Sequence, residues 1–435
     1  MRRVDSQTQA SASSSSHAAE LQFSSHASSA LIGMLRAGPE PGAWPGCGMS
    51  APDLNLRPTK PMMRLLSALC AALLSSAAAS CTEDSDCNLN GVCVTSSCVC
   101  DPGWGGPQCA GLKLAPADPT HGINAWPTSS WGGVSVPDPN EKGLYHLFYS
   151  RFLGGCGLQC WVNASTCVRA EGPSPTGPFT TAEVVLGLFC HNPTLRRAPD
   201  GTYVLFHIGE VDPVRPHTCS SPSESCSSNY PPLLPTDGRQ LLTYSSAPHP
   251  AGPWTPRGSA AFTGRGEGWL GWVSNPSPHF FANGSVLLAF RAKVMPGGNN
   301  ASQPVGEEVI GLASAPAWGG PYTLAATLPI ITSHEDPHIW ADKRGNLHIL
   351  SHGTTNHWFT TPDKLGAWTL ASSPAYSFAF NWSNGTAATA LRRERPQLLF
   401  SEDGLMTPIA FFTGVTIKGA PSPQLALTLA QTVLA

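Results

Sequence analysis

The sequence predicts an all-β protein, a five-bladed β-propeller preceded by a small disulfide-rich module. With 43 glycines and 42 prolines among 435 residues, a helical bundle is disfavoured, because both residues interrupt helices. Six of the 14 cysteines lie between Cys81 and Cys109, and a hairpin-like unit recurs five times in residues 111–435. The formal net charge of -3 indicates no basic surface for nucleic acid.

The N-terminal 80 residues have the composition of leader segments. Residues 1–61 are rich in Ser, Ala and Pro without periodicity, so we expect either a disordered leader or a gene-model extension, with Met62 or Met63 as a start. Residues 62–80, MMRLLSALCAALLSSAAAS, carry one Arg, an apolar run and then small residues, which predicts a signal peptide. The run is too short to cross a bilayer, so no integral membrane segment is expected in the mature chain.

Cysteines and glycosylation sequons predict a secreted protein. The chain after Ser80 carries twelve cysteines, an even number, as expected for disulfides in an oxidising compartment. Five N-x-S/T sites follow as predicted glycan acceptors: Asn163, Asn283, Asn300, Asn381 and Asn384. We therefore expect a secreted, disulfide-bonded glycoprotein.

Residues 81–110 form the predicted disulfide-rich module. Such a short segment needs covalent staples, and spacing alone cannot choose among the fifteen pairings of six cysteines. The C-x-C pair and the final C-x8-C loop with Gly103–Trp104 resemble an EGF-like module. That resemblance implies these pairings: Cys81–Cys93, Cys87–Cys98 and Cys100–Cys109. Ala79–Ser80 supplies no acid before the first cysteine, so we predict no calcium here, and a spacer or adhesive module that can contact proteins.

Residues 111–435 contain the repeated unit. Each copy reads as a β-hairpin, because a turn glycine joins two apolar or β-branched runs. Four segments align without gaps and carry the glycine nine positions on; they begin at Asn192, Asn275, Asp336 and Arg395. A looser copy begins at Trp131 and turns at Gly143. Five such units predict five propeller blades.

A third strand follows the hairpin in four copies and ends at a shared corner, Gly-Pro-aromatic in three of them. Sheets of three or four strands cannot cover both of their own faces, and radial stacking solves this while limiting exposed edges. The last copy has room for only three strands, so we expect Gly111–Pro116 to complete it from the other end of the chain.

The hairpin geometry predicts one polar pocket on the propeller axis. First strands begin and second strands end at the same end of each blade, and these positions are unusually polar. Strand starts give Trp131, His191–Asn192, Asn275, His334–Asp336 and Arg393–Arg395; second-strand ends give Arg151, His207, Arg291 and His352. Polar side chains at the ends of otherwise apolar strands indicate a solvent-filled or functional site.

The repeats resemble the five-bladed propellers of glycoside hydrolase family 43 and its relatives, through HNPTLRRAPDGTY, the Gly-Pro-aromatic corners, EDPHIWADKRGNLH and RRERPQLLF. The resemblance implies hydrolysis of glycosidic bonds by an Asp base, a tuning Asp and a Glu acid. The first blade has Trp131–Gly132–Gly133 where that base is expected, and amides at Asn192 and Asn275 cannot replace it.

Three carboxylates remain as catalytic candidates: Asp336, Glu394 and Glu335. Strand parity predicts that Glu335 and Asp336 point to opposite faces, which leaves Asp336 and Glu394 as an acid/base pair tuned by Arg393 or Arg395. Alternatively, Asp336 caps its strand and the flanking arginines neutralise Glu394. The predicted substrate-binding residues are His191, Asn192, Asn275, Arg291, His352, Arg395 and Trp131.

Metal and cofactor chemistry is not predicted. The histidines of the fourth blade lack tight ligand spacing, and in a secreted chain the cysteines between Cys156 and Cys226 are expected to form disulfides of open pairing. Trp131, Trp161, Trp269 and Trp272 are candidates for stacking on sugar rings. Two functions follow: a secreted glycoside hydrolase acting on a polysaccharide or glycan, or a non-catalytic carbohydrate-binding or adhesion protein on the same fold.

Overall fold

In the computed structural model, the fold can be described for residues 80–124, 127–209, 216–226, 242–260, 262–263, 269–270, 272–294, 306–353 and 356–435. The leader, nearly all of the signal segment and the Asn300 sequon lie outside these ranges. Within these ranges, helix is confined to four short turns: Asp84–Cys87, Leu158–Cys160, Trp161–Ala164 and Pro362–Lys364. None of the helices in the described ranges is long and apolar enough to span a membrane.

The chain from Ser130 onward builds five sheets, one for each repeat, which confirms the five-bladed propeller. Within the described residues their strands pair antiparallel, except for one short parallel pair in blade 3. Blade 1 consists of β5 (Ser130–Pro137), β6 (Tyr145–Phe152), β7 (Ser165–Gly172) and β8 (Thr180–Leu186). Blade 2 consists of β9 (His191–Arg197), β10 (Tyr203–Ile208), β11 (Leu242–Ala247) and β12 (Thr255–Ser259). Blade 3 consists of β14 (Trp272–Phe280), β15 (Val286–Lys293), β16 (Glu308–Ala315) and β17 (Tyr322–Leu324), with β13 (Phe262–Thr263) and β18 (Ile331–Thr332) alongside.

Blade 4 consists of β19 (Glu335–Ala341), β20 (Leu347–His352), β21 (His357–Thr360) and β22 (Thr369–Leu370). Blade 5 consists of β24 (Ala387–Phe400), β25 (Pro408–Ile417) and β26 (Ala426–Thr432), and β23 (Ala379–Asn381) pairs with the beginning of β24. The predicted turn glycines all have positive φ, between 77° and 89°. That conformation favours glycine, so these positions end the first strand of each hairpin.

The segment after the small module completes blade 5, as predicted. Leu114 forms an antiparallel bridge with Val433, and Ile123 forms one with Thr428. The Ala115 N–H donates to the Thr432 carbonyl at 2.9 Å. The last blade therefore receives its outer pairing from the start of the propeller, which joins the two ends of the ring.

The small module contains β1 (Gly91–Val94), β2 (Ser97–Cys100), β3 (Trp104–Gly105) and β4 (Gly111–Leu112). Its three disulfides are those that the resemblance implied. The module packs on blade 4 rather than standing apart. Trp104 stacks on Trp340 with ring centroids 6.2 Å apart, and Asp101 pairs with Lys343 at 2.8 Å and Arg344 at 2.6 Å. This face is therefore occupied by the propeller, and protein contacts of the module stay a prediction.

The remaining cysteines form three disulfides within the propeller. They are Cys156–Cys219, Cys160–Cys226 and Cys167–Cys190. The first two tie the loop between β6 and β7 to residues 216–226, and the third joins β7 to the residue before β9. All the cysteines between Cys156 and Cys226 are thus disulfide-bonded, which confirms their predicted state.

Candidate active site

The first strand of every blade carries the same backbone irregularity near the propeller axis. One residue in each has left-handed φ, between 51° and 58°: Gly132, Asn192, Asn275, Asp336 and Arg395. The strand register shifts at each of these positions, as expected for a β-bulge. A bulge interrupts the alternation of side chains, so two successive residues can face the axis in each blade.

The bulges surround a central cavity of about 310 Å³. Eight of the ten predicted catalytic and substrate-binding residues line it: Asp336, Glu394, Glu335, His191, Asn192, Asn275, Arg291 and Trp131. His352 and Arg395 are not in its wall. Trp161, a predicted stacking residue, also lines the cavity. Residues that the sequence did not single out as binding groups complete the lining: Leu158, Gln159, Ile208, Ser274 and Arg392.

Glu335 and Asp336 both line the cavity, so the strand-parity prediction was wrong. Alternation holds only for regular extended backbone. Asp336 has φ of 57°, and the β19–β20 register shifts between Glu335 and His338. The bulge therefore turns both carboxylates toward the axis.

His352 lies between Glu335 and Glu394 and bridges them. Its Nδ1–H donates to Glu335 Oε1 at 3.1 Å, and its Nε2 is 3.5 Å from Glu394 Oε1. Burial opposes the imidazolium, but the bond to Glu335 and the charges of Glu394 and Asp336 outweigh it and raise the pKa of His352 to about 9. His352 is therefore a cation at neutral pH. It contacts the two carboxylates from outside the cavity lining.

The environments of Glu335 and Glu394 shift their pKa values in opposite directions. Burial disfavours the Glu335 carboxylate, but the bond from His352 and the charge of Arg291, 3.5 Å away, lower its pKa overall. For Glu394, burial outweighs His352 and Arg392, so its pKa is raised. The Glu335 carboxyl is therefore easier to ionise than an ordinary glutamate, and the Glu394 carboxyl is harder to ionise.

Asp336 is buried beneath this pair. Its Oδ1 accepts a hydrogen bond from Asn275 Nδ2 at 2.6 Å, and its Oδ2 accepts one from the Arg395 N–H at 3.1 Å. Burial and the neighbouring charge of Glu335 raise the pKa of Asp336 to about 7, although Arg395 opposes this. Asp336 has few free acceptor sites, which suits a tuning group.

The arginines of the RRERP segment have separate roles, which corrects two predictions. Arg395 is 1% exposed and lies under the floor, where it reaches Asp336 Oδ1 at 3.5 Å and the Asn192 carbonyl at 3.0 Å, so it cannot bind substrate directly. Arg393 points to the other side of β24 and touches neither carboxylate. Arg392 instead contacts Glu394, with Nη1 3.0 Å from Oε1.

The opposite wall of the cavity is neutral. Burial lowers the pKa of His191 to about 3, so its imidazole is uncharged, and its buried Nδ1 has no hydrogen-bond partner among the described residues. The Asn192 Nδ2 donates to Asn275 Oδ1 at 3.1 Å, whereas its buried Oδ1 has no partner in the described parts of the chain. The Asn192 oxygen can accept a hydrogen bond from a ligand hydroxyl, and the His191 Nδ1 can accept or donate one according to its tautomer.

Aromatic side chains form the rim on the same side. Trp161 packs on His191 with ring centroids 5.1 Å apart, and Trp131 is buried in the wall. Trp161 lies in the loop stapled by Cys160–Cys226, so the disulfides hold this ring at the cavity. In the sequence, the two cysteines of the loop between β6 and β7 were the feature that indicated this tethering of Trp161. Trp269, by contrast, is buried in blade 3 against Phe290 and does not stack on a ligand.

The acidic cluster also has the spacing of cation ligands. One atom each from Glu335, Asp336, His352 and Glu394 lie within 4.8 Å of one another. Oxygen ligands with one imidazole suit a hard divalent cation when His352 is neutral. His352 already donates to Glu335 within this cluster, and the expectation of no metal site stays a prediction.

Of the predicted glycan acceptors, Asn283, Asn381 and Asn384 lie on exposed turns or strand ends. Asn163 is only 5% exposed within the turn Trp161–Ala164. An attached glycan needs solvent, so Asn163 is the least accessible of these acceptors, and its glycosylation stays a prediction.

Comparison with known proteins separates the two parts of the chain. Residues 84–111 match the model of the Teneurin-like EGF domain. The N-terminal module is EGF-like. No curated protein sequence matches the chain.

Solved structures resemble the propeller. They include a family 117 glycoside hydrolase of the marine bacterium Zobellia galactanivorans, at 16% identity over 75% of this chain and 91% of that one, with a TM-score of 0.49. The catalytic domain of the Coprinopsis cinerea GH62 alpha-L-arabinofuranosidase is 12% identical over 77% and 98%, with a TM-score of 0.48. A thermostable family-43 glycoside hydrolase is 12% identical over 73% and 92%, with a TM-score of 0.45.

Proposed function

We propose that this protein binds carbohydrate in the central cavity and hydrolyses a glycosidic bond there. The observation that carries the proposal is the opposed tuning of two carboxyls in one cavity, with the pKa of Glu335 lowered and that of Glu394 raised. Glycoside hydrolysis needs one protonated carboxyl and one ionised carboxylate. The cavity volume of about 310 Å³ suits one or two sugar rings.

Glu394 acts as the general acid in this proposal and protonates the leaving oxygen. Glu335 acts as the ionised partner, held in that state by His352 and Arg291. Asp336 tunes the pair from beneath, so the pair expected from strand parity is revised from Asp336 and Glu394 to Glu335 and Glu394. His191 and Asn192 bind sugar hydroxyls, and Trp161 packs against a ring face.

The close approach of the two carboxyls is compatible with a retaining mechanism. One oxygen of Glu335 and one of Glu394 lie within 4.8 Å of each other, and retaining enzymes place their two carboxyls about 5–5.5 Å apart. Glu335 would then attack the anomeric carbon as the leaving oxygen takes the proton from Glu394. Water releases the sugar in the second step, with Glu394 now accepting its proton.

The second candidate function is carbohydrate binding without hydrolysis. It is favoured by the cation beside each carboxylate: Arg291 lies 3.5 Å from Glu335, Arg392 lies 3.0 Å from Glu394, and Arg395 lies 3.5 Å from Asp336. Arg392 is 41% exposed at its side chain, so solvent weakens its hold on Glu394. That exposure favours the hydrolase.

The proposal is tested by measuring hydrolysis of aryl-glycosides and of plant or algal polysaccharides by the secreted protein. We expect turnover that falls about 10²–10⁴-fold in Glu394→Gln and in Glu335→Gln. The Glu394→Gln loss should be smaller for aryl leaving groups that depart without protonation, and NMR of the product should show retained anomeric configuration. Glycan binding without turnover, unchanged in both variants, would establish the binding protein instead.

Secretion belongs to the same proposal. Six disulfides and an EGF-like module are typical of an oxidising, extracellular compartment. Expression with the native N-terminus tests it, since the mature chain should appear in the medium with its N-terminus near Cys81 and with glycans on Asn283, Asn381 or Asn384.

A further inference from the structure

A second cavity, of about 810 Å³, lies where the chain passes from the EGF-like module into the propeller. The end of the module, the segment that closes blade 5 and the chain leading into β23 form its wall. Its larger apolar side chains are Leu112, Leu114, Pro116, Tyr376, Phe378 and Phe380. The volume lies within the range of sites that bind small organic molecules, which often occur between domains.

Arg393 is the one charged side chain among the described residues that line this cavity. It is 1% exposed, and its guanidinium donates to the Ser377 carbonyl and to Gln431 Oε1. The buried Nε–H has no hydrogen-bond partner among the residues that the structure describes. Within the described parts of the chain, no carboxylate oxygen lies within 4.0 Å of this guanidinium, unlike Arg291, Arg392 and Arg395.

A buried guanidinium without a counter-ion is costly, because it has lost its water and gained no opposite charge. Burial lowers the pKa of Arg393 to about 10, so it is still a cation at neutral pH. The rings of Tyr376, Phe380 and Phe411 lie 5.2–5.5 Å from its Cζ atom and offset part of the cost through cation–π contacts. They do not supply a negative charge, and they leave the Nε–H unpaired.

We propose that this cavity binds a small aromatic carboxylate. The carboxylate pairs with the guanidinium and accepts the free Nε–H of Arg393, as expected for charge-assisted hydrogen bonding. The aromatic body packs against the apolar wall, including Leu112, Pro116 and Phe378. This site is separate from the proposed hydrolase site, because Arg393 and Glu394 are successive residues that face opposite sides of β24.

Binding of 4-hydroxycinnamate to the full chain, by calorimetry and by the arginine Nε–H signals in ¹⁵N NMR, tests the proposal. Its amide serves as the neutral probe, 4-hydroxyphenyl sulfate as the alternative anion and inorganic sulfate as the bare anion. We expect the carboxylate to bind at least tenfold more tightly than the amide and to shift one Nε–H signal. That signal should be missing in Arg393→Gln.

Two variants and a matched control make the result specific. Arg393→Gln removes the charge, and Ala379→Trp narrows the cavity from an exposed strand while keeping Arg393. Each should weaken carboxylate binding at least tenfold, whereas Arg197→Gln, which removes an exposed arginine stacked on Tyr203, should not. If Arg393→Gln fails to fold, Ala379→Trp and the amide comparison decide.

Several outcomes would overturn the proposal. Equal binding of the amide and the carboxylate would show that charge is not recognised. Undiminished carboxylate binding in Ala379→Trp would place the ligand elsewhere. If either sulfate probe bound more tightly than the carboxylate, the site would be assigned to sulfate anions and not to carboxylates. Because no readout uses glycoside turnover, these results are independent of the central site.

Discussion

The charge on His352 can be measured without knowing the substrate. Its pKa of about 9, against an ordinary 6.5, corresponds to about 3 kcal/mol in favour of the imidazolium. Glu335→Gln keeps the size of the side chain but removes the negative acceptor that lies 3.1 Å from His352 Nδ1. Since that hydrogen bond contributes most to the upward shift, we expect the pKa of His352 to fall by more than about one unit, roughly 1.4 kcal/mol or more.

Titration of the histidine Cε1–H signals by NMR gives this value directly, with His352→Asn to assign the resonance. Glu308→Gln is the matched control, because Glu308 binds Arg291 on the far side and makes no contact with His352. It should leave the titration of His352 nearly unchanged. A wild-type pKa near 6.5, or the same value in Glu335→Gln, would refute the carboxylate–imidazolium–carboxylate arrangement.

Three further predictions concern Asp336, Trp161 and Trp104. The folded-state pKa of Asp336, about 7, exceeds its ordinary 3.8, so the stability that its proton contributes is complete below about pH 4 and lost as the pH rises through 7. The unfolding temperature of Asp336→Asn should therefore fall less than that of the wild type as the pH rises from about 5 to 8. Parallel curves of unfolding temperature against pH would contradict this. Trp161→Ala should weaken glycan binding or raise KM about tenfold with little change in kcat, measured against the conservative Trp161→Phe; unchanged KM would exclude ring contact. Trp104→Ala should lower the free energy of unfolding by about 3 kcal/mol in chemical denaturation, because it removes the packing of Trp104 against Trp340 and leaves a cavity. As a control, Val99→Ala on the exposed side of the module should change the free energy of unfolding little.

Local sequence was sufficient for the blades. Each hairpin needs a turn glycine with positive φ, and a glycine in that role stands out in any sequence. The closing segment followed from counting strands, because a blade with three strands leaves an unpaired edge. The pairings in the module followed from its resemblance to EGF-like modules, since spacing alone left fifteen possibilities open.

The details of the site did not follow from local pattern. Strand parity failed at Asp336 because the residue adopts a left-handed conformation at a bulge, which the sequence does not mark when the residue is not glycine. The three arginines near Glu394 are equivalent in the sequence, yet one meets the cavity, one lies under its floor and one faces the second cavity. Trp161 joined the cavity through disulfides between segments distant in sequence.

The sequence by itself determined the repeated hairpins, the number of blades, the disulfide-rich module and the end of the propeller where polar residues gather, because each depends on residues close together in the chain. Only the tertiary structure decided that Glu335 and Glu394 face each other across His352, and that the buried Arg393 pairs with no carboxylate of the described residues. Those features depend on distances between different blades and on the water that each group loses, and both arise only when the ring closes.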